Sequence, residues 1–222
     1  MIEDAQAGDG GASANLADYR WVFLQRVHGV LQAGYLRLNA SDYAAADEPT
    51  ISGVLAGCMR AFLREDVPDW ADHFSIHDDP PVSDGVRTGK RRKRIDIGVE
   101  SAVPRPGQRF SFEAKRLGAE HPIGIYLGPE GLGCFLAGDY ARNDDSAGMI
   151  GYVQSHTPFH WASQLEHRLR LGPAAYHTST ERCWKKHLFV DGPQHCFVSH
   201  HERAILARPI TIYHSLLSFV AS

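Results

Sequence analysis

Apolar residues recur with helical spacing in two stretches near the start of the chain. The first covers about residues 16–38, and the second runs from Ile51 to Leu63. Thr50 is the expected N-cap of the second helix, because it precedes the apolar stripe and follows Pro49. The sequence therefore predicts an α-rich N-terminal addition. Residues 1–14, rich in Gly, Ala and Asp, are predicted to form a disordered tail ahead of it.

The hydrophobic period changes from helical to alternating in the middle of the chain. Asp, Pro, Gly and Ser dominate from Pro68 to about Lys90, which predicts a loop with a short strand at Phe74–Ile76. Apolar and polar residues then alternate over Ile95–Val99 and again over Arg109–Lys115. Proline and glycine between them, at 104–107, suit a hairpin loop. The pattern predicts two strands joined by a short connection.

Helical patterns return in the second half of the chain. The composition of Pro122–Gly133 predicts a loop, followed by a short apolar run at Cys134–Ala137. A helix is predicted at about 147–155 from its apolar residues. Another is predicted to begin at Thr157–Pro158, because a capping residue precedes proline at the first helical position. Its buried face is predicted to contain Phe159, Ala162, Leu165 and Leu169.

Strand patterns reappear near the C-terminus. Leu188–Val190 and Cys196–Val198 flank a turn signal, Asp191-Gly192, and Ile210–Tyr213 is a further strand candidate. With the helices and strands before them, they predict an α/β fold: a mixed central sheet flanked by helices. We expect a single domain over residues 15–222, with its C-terminal strands at about 176–220.

Composition narrows the choice of partners and of compartment. The chain has 222 residues and a formal net charge of −3, so attraction of its whole surface to nucleic acid is not expected. None of the four cysteines forms a CxxC pair, which favours reduced thiols in a cytosolic protein. We recognise neither a signal peptide nor a membrane-spanning stretch. The largest charge asymmetry is a basic run suited to gripping phosphates: Lys90, Arg91, Arg92, Lys93 and Arg94.

The second alternating strand carries the candidate chemistry. Glu113 and Lys115 are two residues apart, so they share one strand face at a spacing of roughly 6.5–7 Å. Asp96 lies on the polar face of the preceding strand and can approach Glu113 if the two strands pair. Mg²⁺ prefers hard oxygen ligands, and it can polarise a phosphate and activate a bound water. Two acids without a cation would repel each other, so the arrangement favours a metal site.

This arrangement resembles the signature of the PD-(D/E)xK, or restriction-endonuclease-like, nuclease superfamily: a helix, a strand bearing Asp, and a strand bearing Glu-x-Lys. The residues are Arg94-Ile95-Asp96-Ile97 and Phe112-Glu113-Ala114-Lys115-Arg116-Leu117, with Ile95 where the signature has proline. The resemblance covers roughly residues 45–170. It implies that Asp96 and Glu113 bind the metal and that Lys115 serves the attacking water. It also implies an acidic contribution from Glu48, which is predicted to precede the first core helix.

The resemblance carries expectations about substrate and partners. It implies Mg²⁺- or Mn²⁺-dependent hydrolysis of phosphodiester bonds, with DNA as the substrate and endonuclease or exonuclease action undecided. Tyr140 and the stretch from Ala147 to Val153 look similar to uncharacterised bacterial nuclease-like proteins associated with defence against foreign DNA. A protein partner in such a system is therefore expected. The alternative is a nuclease-fold binding or assembly subunit with little activity alone, which the near-neutral charge favours.

Most of these candidate residues can also be explained by purely structural roles. Glu113 and Lys115 can be the solvated face of a half-buried strand, and the basic run can be an exposed loop end. Tyr140 and Tyr152 are more typical of core or rim aromatics than of substrate contacts. Gln154 either reaches the site or is an ordinary surface amide, and Arg116 is predicted on the face opposite Lys115. A third class of function, a zinc-stabilised interaction module, rests on Cys183, His187, Cys196 and His200.

Overall fold

A seven-stranded mixed sheet forms the centre of the protein in its computed structural model. The structure describes residues 10–65, 69–82, 93–103, 105–203 and 206–221, with side chains of the first helix from residue 17 onward. The helices are α1 (Gly10–Leu36), α2 (Glu48–Glu65), α3 (Ile123–Tyr126), α4 (Leu132–Leu136) and α5 (Pro158–Leu171). The strands are β1 (Phe74–Asp78), β2 (Ile97–Ser101), β3 (Gln108–Leu117), β4 (Ser146–Val153), β5 (Lys185–Lys186), β6 (Cys196–Arg203) and β7 (Arg208–Ser218).

The strand order is β1-β2-β3-β4-β7-β6-β5. Strands β1, β2 and β3 form an antiparallel meander, β4 runs parallel to β3, and β7 runs parallel to β4. Strands β6 and β5 then continue antiparallel to the sheet edge. The predicted α/β class with a mixed sheet is confirmed. The C-terminal strands extend the same sheet that contains β2 and β3.

Helices cover both faces of the sheet. On one face α1 and α2 pack against Phe110, Phe112 and Ala114 of β3, and these residues are fully buried. On the other face α3, α4 and α5 pack around Leu117 and Met149. Both faces of β3 are therefore covered, and Ser111, Glu113 and Lys115 lie inside the protein, whereas Arg109 near the start of the strand is exposed. None of the helices in the described part of the chain is long and apolar enough to cross a membrane.

The predicted helix at about 147–155 is wrong, because these residues form the central strand β4. Every residue of β4 is buried, since parallel neighbours flank it on both sides and helices cover both faces. Such a strand shows a continuous apolar run and no alternation, and periodicity does not distinguish that run from a buried helix. Gly148 permits the close packing, because a Cβ atom there would collide with the ring of Phe112.

The boundaries of the N-terminal helices differ from the predicted ones. Helix α1 covers Gly10–Leu36, so residues 10–14 belong to a helix, while residues 1–9 lie outside the described part. Thr50 is inside α2 and does not cap it. The cap is Asp47, whose Oδ1 accepts a hydrogen bond from the Thr50 backbone N–H at 3.0 Å. Glu48 is consequently the first residue of α2 and does not precede the helix.

Of the remaining predicted helices, strands and loops, some are confirmed and others are wrong. Helix α5 begins at Pro158 with Thr157 as its N-cap, as predicted, but Phe159 is 72% exposed and Trp161 takes its place on the buried face. The strands at Phe74–Ile76, Cys196–Val198 and Ile210–Tyr213 are confirmed as parts of β1, β6 and β7. Residues 188–190 are not a strand, and the short edge strand is β5. The predicted loop over 122–133 contains α3 and the start of α4.

Candidate metal centre

Pairing of β2 with β3 brings Asp96 to Glu113. The antiparallel register aligns Ile97 with Phe112, so Asp96, just before β2, faces the position of Glu113. Asp96 Oδ2 accepts a hydrogen bond from the backbone N–H of Ala114 at 2.7 Å, which fixes the carboxyl group against β3. The predicted approach of the two carboxyl groups across the hairpin is thereby confirmed. Pro104 of the connecting loop lies outside the described residues.

Lys115 joins the sheet to the first turn of α2. Its Nζ atom donates to Glu113 Oε1 at 2.8 Å, to Glu48 Oε1 at 2.7 Å and to the backbone oxygen of Ala114 at 2.8 Å. These three bonds use all three hydrogens of the ammonium group. One oxygen each from Glu48, Asp96 and Glu113 lies within 4.8 Å of the other two. All four residues predicted for the catalytic site therefore converge.

Burial excludes the interpretation of Glu113 and Lys115 as a solvated strand face. Glu113 is 5% exposed and Lys115 is 7% exposed. Oε1 of Glu113 accepts from Lys115, whereas Oε2 is buried and has no hydrogen-bond partner among the described residues. Burial of a carboxylate oxygen without a donor is costly. The orphaned oxygen indicates that the centre takes either a proton or a cation.

The electrostatics of the centre agree with this indication. Burial, and then the neighbouring Asp96, raise the pKa of Glu113 to about 8. Burial also raises the pKa of Asp96 to about 6, although its bond from Ala114 opposes the shift. Burial lowers the pKa of Lys115, but Glu113 and Glu48 outweigh it, and the net shift is upward. Two carboxyl groups in such contact require a shared proton or a shared cation.

A turn after α4 holds the segment that leads into Asp96. The hydroxyl of Tyr140 donates to the backbone oxygen of Arg94 at 2.8 Å, and Lys93 forms an ion pair with Asp139. Arg203 is 1% exposed and donates to two carbonyl oxygens of the same turn at 2.7 and 2.8 Å. Tyr140 is thus a rim aromatic, and it supports the site by holding the backbone of Arg94 in place. No motif or period in the sequence pointed to the contribution of Arg203.

Only part of the predicted phosphate-binding run can be located. Lys90, Arg91 and Arg92 lie outside the described residues. Lys93 pairs with Asp139, and Arg94 pairs with Asp79 at 2.6 Å. These two cations are therefore partly neutralised by neighbouring carboxylates. Their position beside Asp96 is set by the antiparallel bridge of Arg94 with Pro81 and by the hydrogen bond from the Ile95 N–H to the oxygen of Pro80.

The four residues considered for zinc do not converge on one point. In the parts of the chain that the structure covers, Glu48, Asp96 and Glu113 are the one group of three or more ligand-type side chains close enough to hold a metal ion. Cys183 donates to the oxygen of Thr180, and His200 is bonded to Thr211. Cys196 and His200 are four residues apart on β6, roughly 13 Å along the strand.

Tyr152 and Gln154 occupy structural positions. Tyr152 is fully buried and its hydroxyl is hydrogen-bonded to Ser52 at 2.9 Å. Gln154 is partly buried just beyond β4, and its side-chain amide donates to the backbone oxygens of Tyr43 and Ala46. Its amide is therefore engaged with the connection before α2, so Gln154 is not an ordinary surface amide.

Comparisons with protein-family models, with curated proteins and with solved structures give no match. The chemistry of the centre is therefore inferred from its own geometry. Three carboxyl groups and one ammonium group lie around a small, largely buried volume, and carboxylate oxygens are the ligands that Mg²⁺ and Mn²⁺ prefer.

Proposed function

We propose that this protein hydrolyses phosphodiester bonds of DNA with the help of Mg²⁺ or Mn²⁺. One observation carries the proposal: Glu48, Asp96 and Glu113 converge with Lys115, and Oε2 of Glu113 is buried with no donor among the described residues. A hydrophobic or purely structural site does not need three acids at this spacing. A cation between them would remove the repulsion and satisfy the orphaned oxygen.

The residues present fit a hard divalent cation. Asp96 and Glu113 would hold it from the sheet, and Glu48 would complete the set from α2. When bound, the metal would polarise the scissile phosphate and lower the pKa of a water molecule. The hydrogen bond from Ala114 fixes one oxygen of Asp96 and leaves its other oxygen available as a ligand. Partial burial of the site strengthens each of these electrostatic contacts.

Lys115 is the positively charged side chain that the protein itself contributes to the centre. Its ammonium group lies between Glu48 and Glu113, so it is held where phosphate oxygens would approach the two acids. If it exchanges one of its three present hydrogen bonds, it can donate to the attacking water and so orient it, or donate to a phosphate oxygen that gains negative charge. The two acids raise the pKa of Lys115 by more than burial lowers it, so Lys115 stays protonated over the neutral pH range.

The order of elements also supports the proposed restriction-endonuclease-like core. Helix α2 precedes the β1-β2-β3 meander, and β4 lies parallel to β3 beside the centre. Asp96 directly precedes β2, and Glu113 and Lys115 lie within β3, which is the arrangement of the PD-(D/E)xK signature. On this resemblance we extend the proposal to a cytoplasmic enzyme of bacterial defence against foreign DNA.

A second candidate is a binding or assembly subunit that keeps the fold but cleaves little alone. The net charge of −3 gives the protein no general attraction to DNA. Helix α1 and the 188–192 segment also expose large apolar side chains around a groove, among them Trp21 at 44%, Leu36 at 70% and Val190 at 86%. Exposed apolar patches of this kind favour a protein partner that supplies part of the DNA-binding surface.

Cleavage of linear and supercoiled DNA with Mg²⁺, with Mn²⁺ and with EDTA tests the proposal. We expect metal-dependent products from the parent protein and none from Asp96→Asn, because asparagine keeps the oxygen that accepts from Ala114 and loses the charge. Asp72→Asn, an exposed position, is the matched control and should cleave like the parent. Cleavage by Asp96→Asn at the parental rate would overturn the proposal. Metal binding without cleavage would favour the assembly subunit.

A further inference from the structure

Gln154 lies where the sheet meets the connection that leads into α2. Its backbone N–H donates to the oxygen of Leu117 at 2.8 Å, so the residue is fixed at the ends of β4 and β3. Its side chain follows that of Tyr152 by two positions, and both side chains are directed toward the layer that contains α2. Tyr152 contacts Ser52 of α2, and Gln154 contacts the residues just before α2.

Both hydrogens of the Gln154 amide have backbone acceptors. Nε2 donates to the oxygen of Ala46 at 2.8 Å and to that of Tyr43 at 3.3 Å. The same connection is closed by the N–H of Ala46, which donates to the oxygen of Tyr43 at 3.0 Å. Gln154 therefore clamps a four-residue turn whose end is two residues from Glu48.

Glu48 differs from the other two acids in how it is held. Asp96 and Glu113 are fixed by the pairing of β2 with β3, whereas Glu48 comes from the helical layer. Its side chain is 24% exposed, and its hydrogen bond joins it to Lys115 at 2.7 Å. The position of Glu48 consequently depends on where the first turn of α2 is placed against the sheet.

We propose that Gln154 is a positioning residue for Glu48, acting through the backbone of Tyr43–Ala46. This inference rests on the proposed function, because it assigns Glu48 a role in holding the metal. Gln154 does not contact the metal ligands. By fixing Ala46 it fixes Asp47, which caps α2, and so directs the Glu48 carboxylate to the centre. Partners of this supporting kind typically contribute about 10–100-fold to metal affinity.

Mn²⁺ titration by calorimetry, with no DNA present, tests the inference in a double-mutant cycle. Gln154→Met keeps the length of the side chain and removes both donors. We expect its Kd for Mn²⁺ to rise by about tenfold or more. In a Glu48→Gln background the same change should raise Kd less than about twofold, because the group that Gln154 positions has already lost its charge. A purely structural effect would be equal in both backgrounds.

Ser52→Ala is the matched control. It removes the hydrogen bond between Tyr152 and α2 one turn beyond Glu48, so it perturbs the same helix without touching the Tyr43–Ala46 turn. Its Kd for Mn²⁺ should stay within about twofold of the parent. Equal losses for Gln154→Met in both backgrounds, or no loss in either, would overturn the Gln154 inference alone. Failure of the parent to bind Mn²⁺ would overturn the proposed function and this inference together.

Discussion

Nζ of Lys115, on β3, lies 2.7 Å from Oε1 of Glu48, the first residue of α2. The two residues are 67 positions apart, and their ion pair connects the central sheet to the helical layer. The Lys115 side chain is 9% exposed, so the pair is far less screened than a surface salt bridge. Removal of the ammonium group would leave Glu48 and Glu113 without their shared counter-ion.

Lys115→Met should therefore destabilise the protein by about 3–5 kcal/mol at pH 8 in EDTA, the usual cost of breaking a buried ion pair. The loss should be smaller at pH 6, because Glu113 can take up a proton there and needs no counter-ion. Urea unfolding at both pH values measures the difference. Lys186→Met, on the exposed edge strand β5, is the control and should change stability little. A loss below about 1 kcal/mol at pH 8 would contradict the buried pair.

Glu113→Gln should abolish Mn²⁺ binding and cleavage without unfolding the protein, because glutamine keeps the volume and loses the charge. It should also change the pH dependence of stability. The pKa of Glu113 is raised to about 8 in the folded protein, above its ordinary value of 4.5. Its contribution to stability is thus fully present below about pH 4.5 and is lost as the pH rises through about 8.

Urea unfolding in EDTA between pH 5 and pH 8 tests this sign. The parent should lose stability with rising pH over that range by more than Glu113→Gln does, and saturating Mn²⁺ should remove the difference by occupying the ionised carboxylate. Glu100→Gln, at an exposed position of β2, should behave like the parent. If Glu113→Gln cleaves DNA like the parent, Glu113 is not a metal ligand. If the variant unfolds, Glu113 is a structural residue.

The buried position of His201 predicts a pH dependence of stability opposite to that expected from Glu113. Its Nδ1 can only donate to the oxygen of Tyr176, so in the neutral ring Nε2 accepts from the Ser199 hydroxyl, and Ser199 in turn accepts from His214. Burial lowers the pKa of His201 to about 4. The stabilisation is therefore present above the ordinary value of 6.5 and is lost as the pH falls from 6.5 toward about 4.

His201→Gln should reduce the acid-dependent loss of stability by about 1.4 kcal/mol per pH unit between pH 6 and pH 5, the slope for one proton. Urea unfolding at pH 7, 6 and 5 gives this slope for the variant and the parent. His167→Gln, at an exposed position of α5, is the control. Identical slopes for His201→Gln and the parent would show that His201 is not held neutral.

The basic run should affect DNA binding more than chemistry. Arg91 and Arg92 lie outside the described residues, and Lys93 is already paired with Asp139. Changing Arg91 and Arg92 together to Ala should lower the slope of log affinity against log salt by up to about 1.8 units on duplex DNA, while cleavage at saturating DNA changes much less.

Lys185→Ala with Lys186→Ala is the matched control for this prediction. It removes the same amount of charge from β5, at the sheet edge opposite β1, and should leave the salt slope unchanged. Equal slopes for the Arg91/Arg92 variant and the parent would show that DNA is gripped by other residues or by a partner protein.

The local part of the centre follows from residues that are close together in the chain. The period of a strand places Glu113 and Lys115 on one face whatever surrounds it, and the short hairpin brings Asp96 opposite Glu113. The cap of α5 at Thr157 is equally local, since it depends on a capping residue followed by proline. Each of these features is fixed by neighbours within a few residues or by one turn.

The remaining features of the centre depend on contacts between distant parts of the chain. The face of β3 that carries Glu113 and Lys115 is buried because α3, α4 and α5 pack over that side of the sheet. β4 is a strand because parallel partners on both sides form hydrogen bonds with its backbone. Its uniform apolar run does not indicate which strands those partners are, or that they exist. Glu48 reaches Lys115 because α2, capped by Asp47, begins one turn before the first residue of the apolar stripe. Contacts with distant parts of the chain determine where the helix begins. Such contacts join residues far apart in the chain, and no local pattern encodes them.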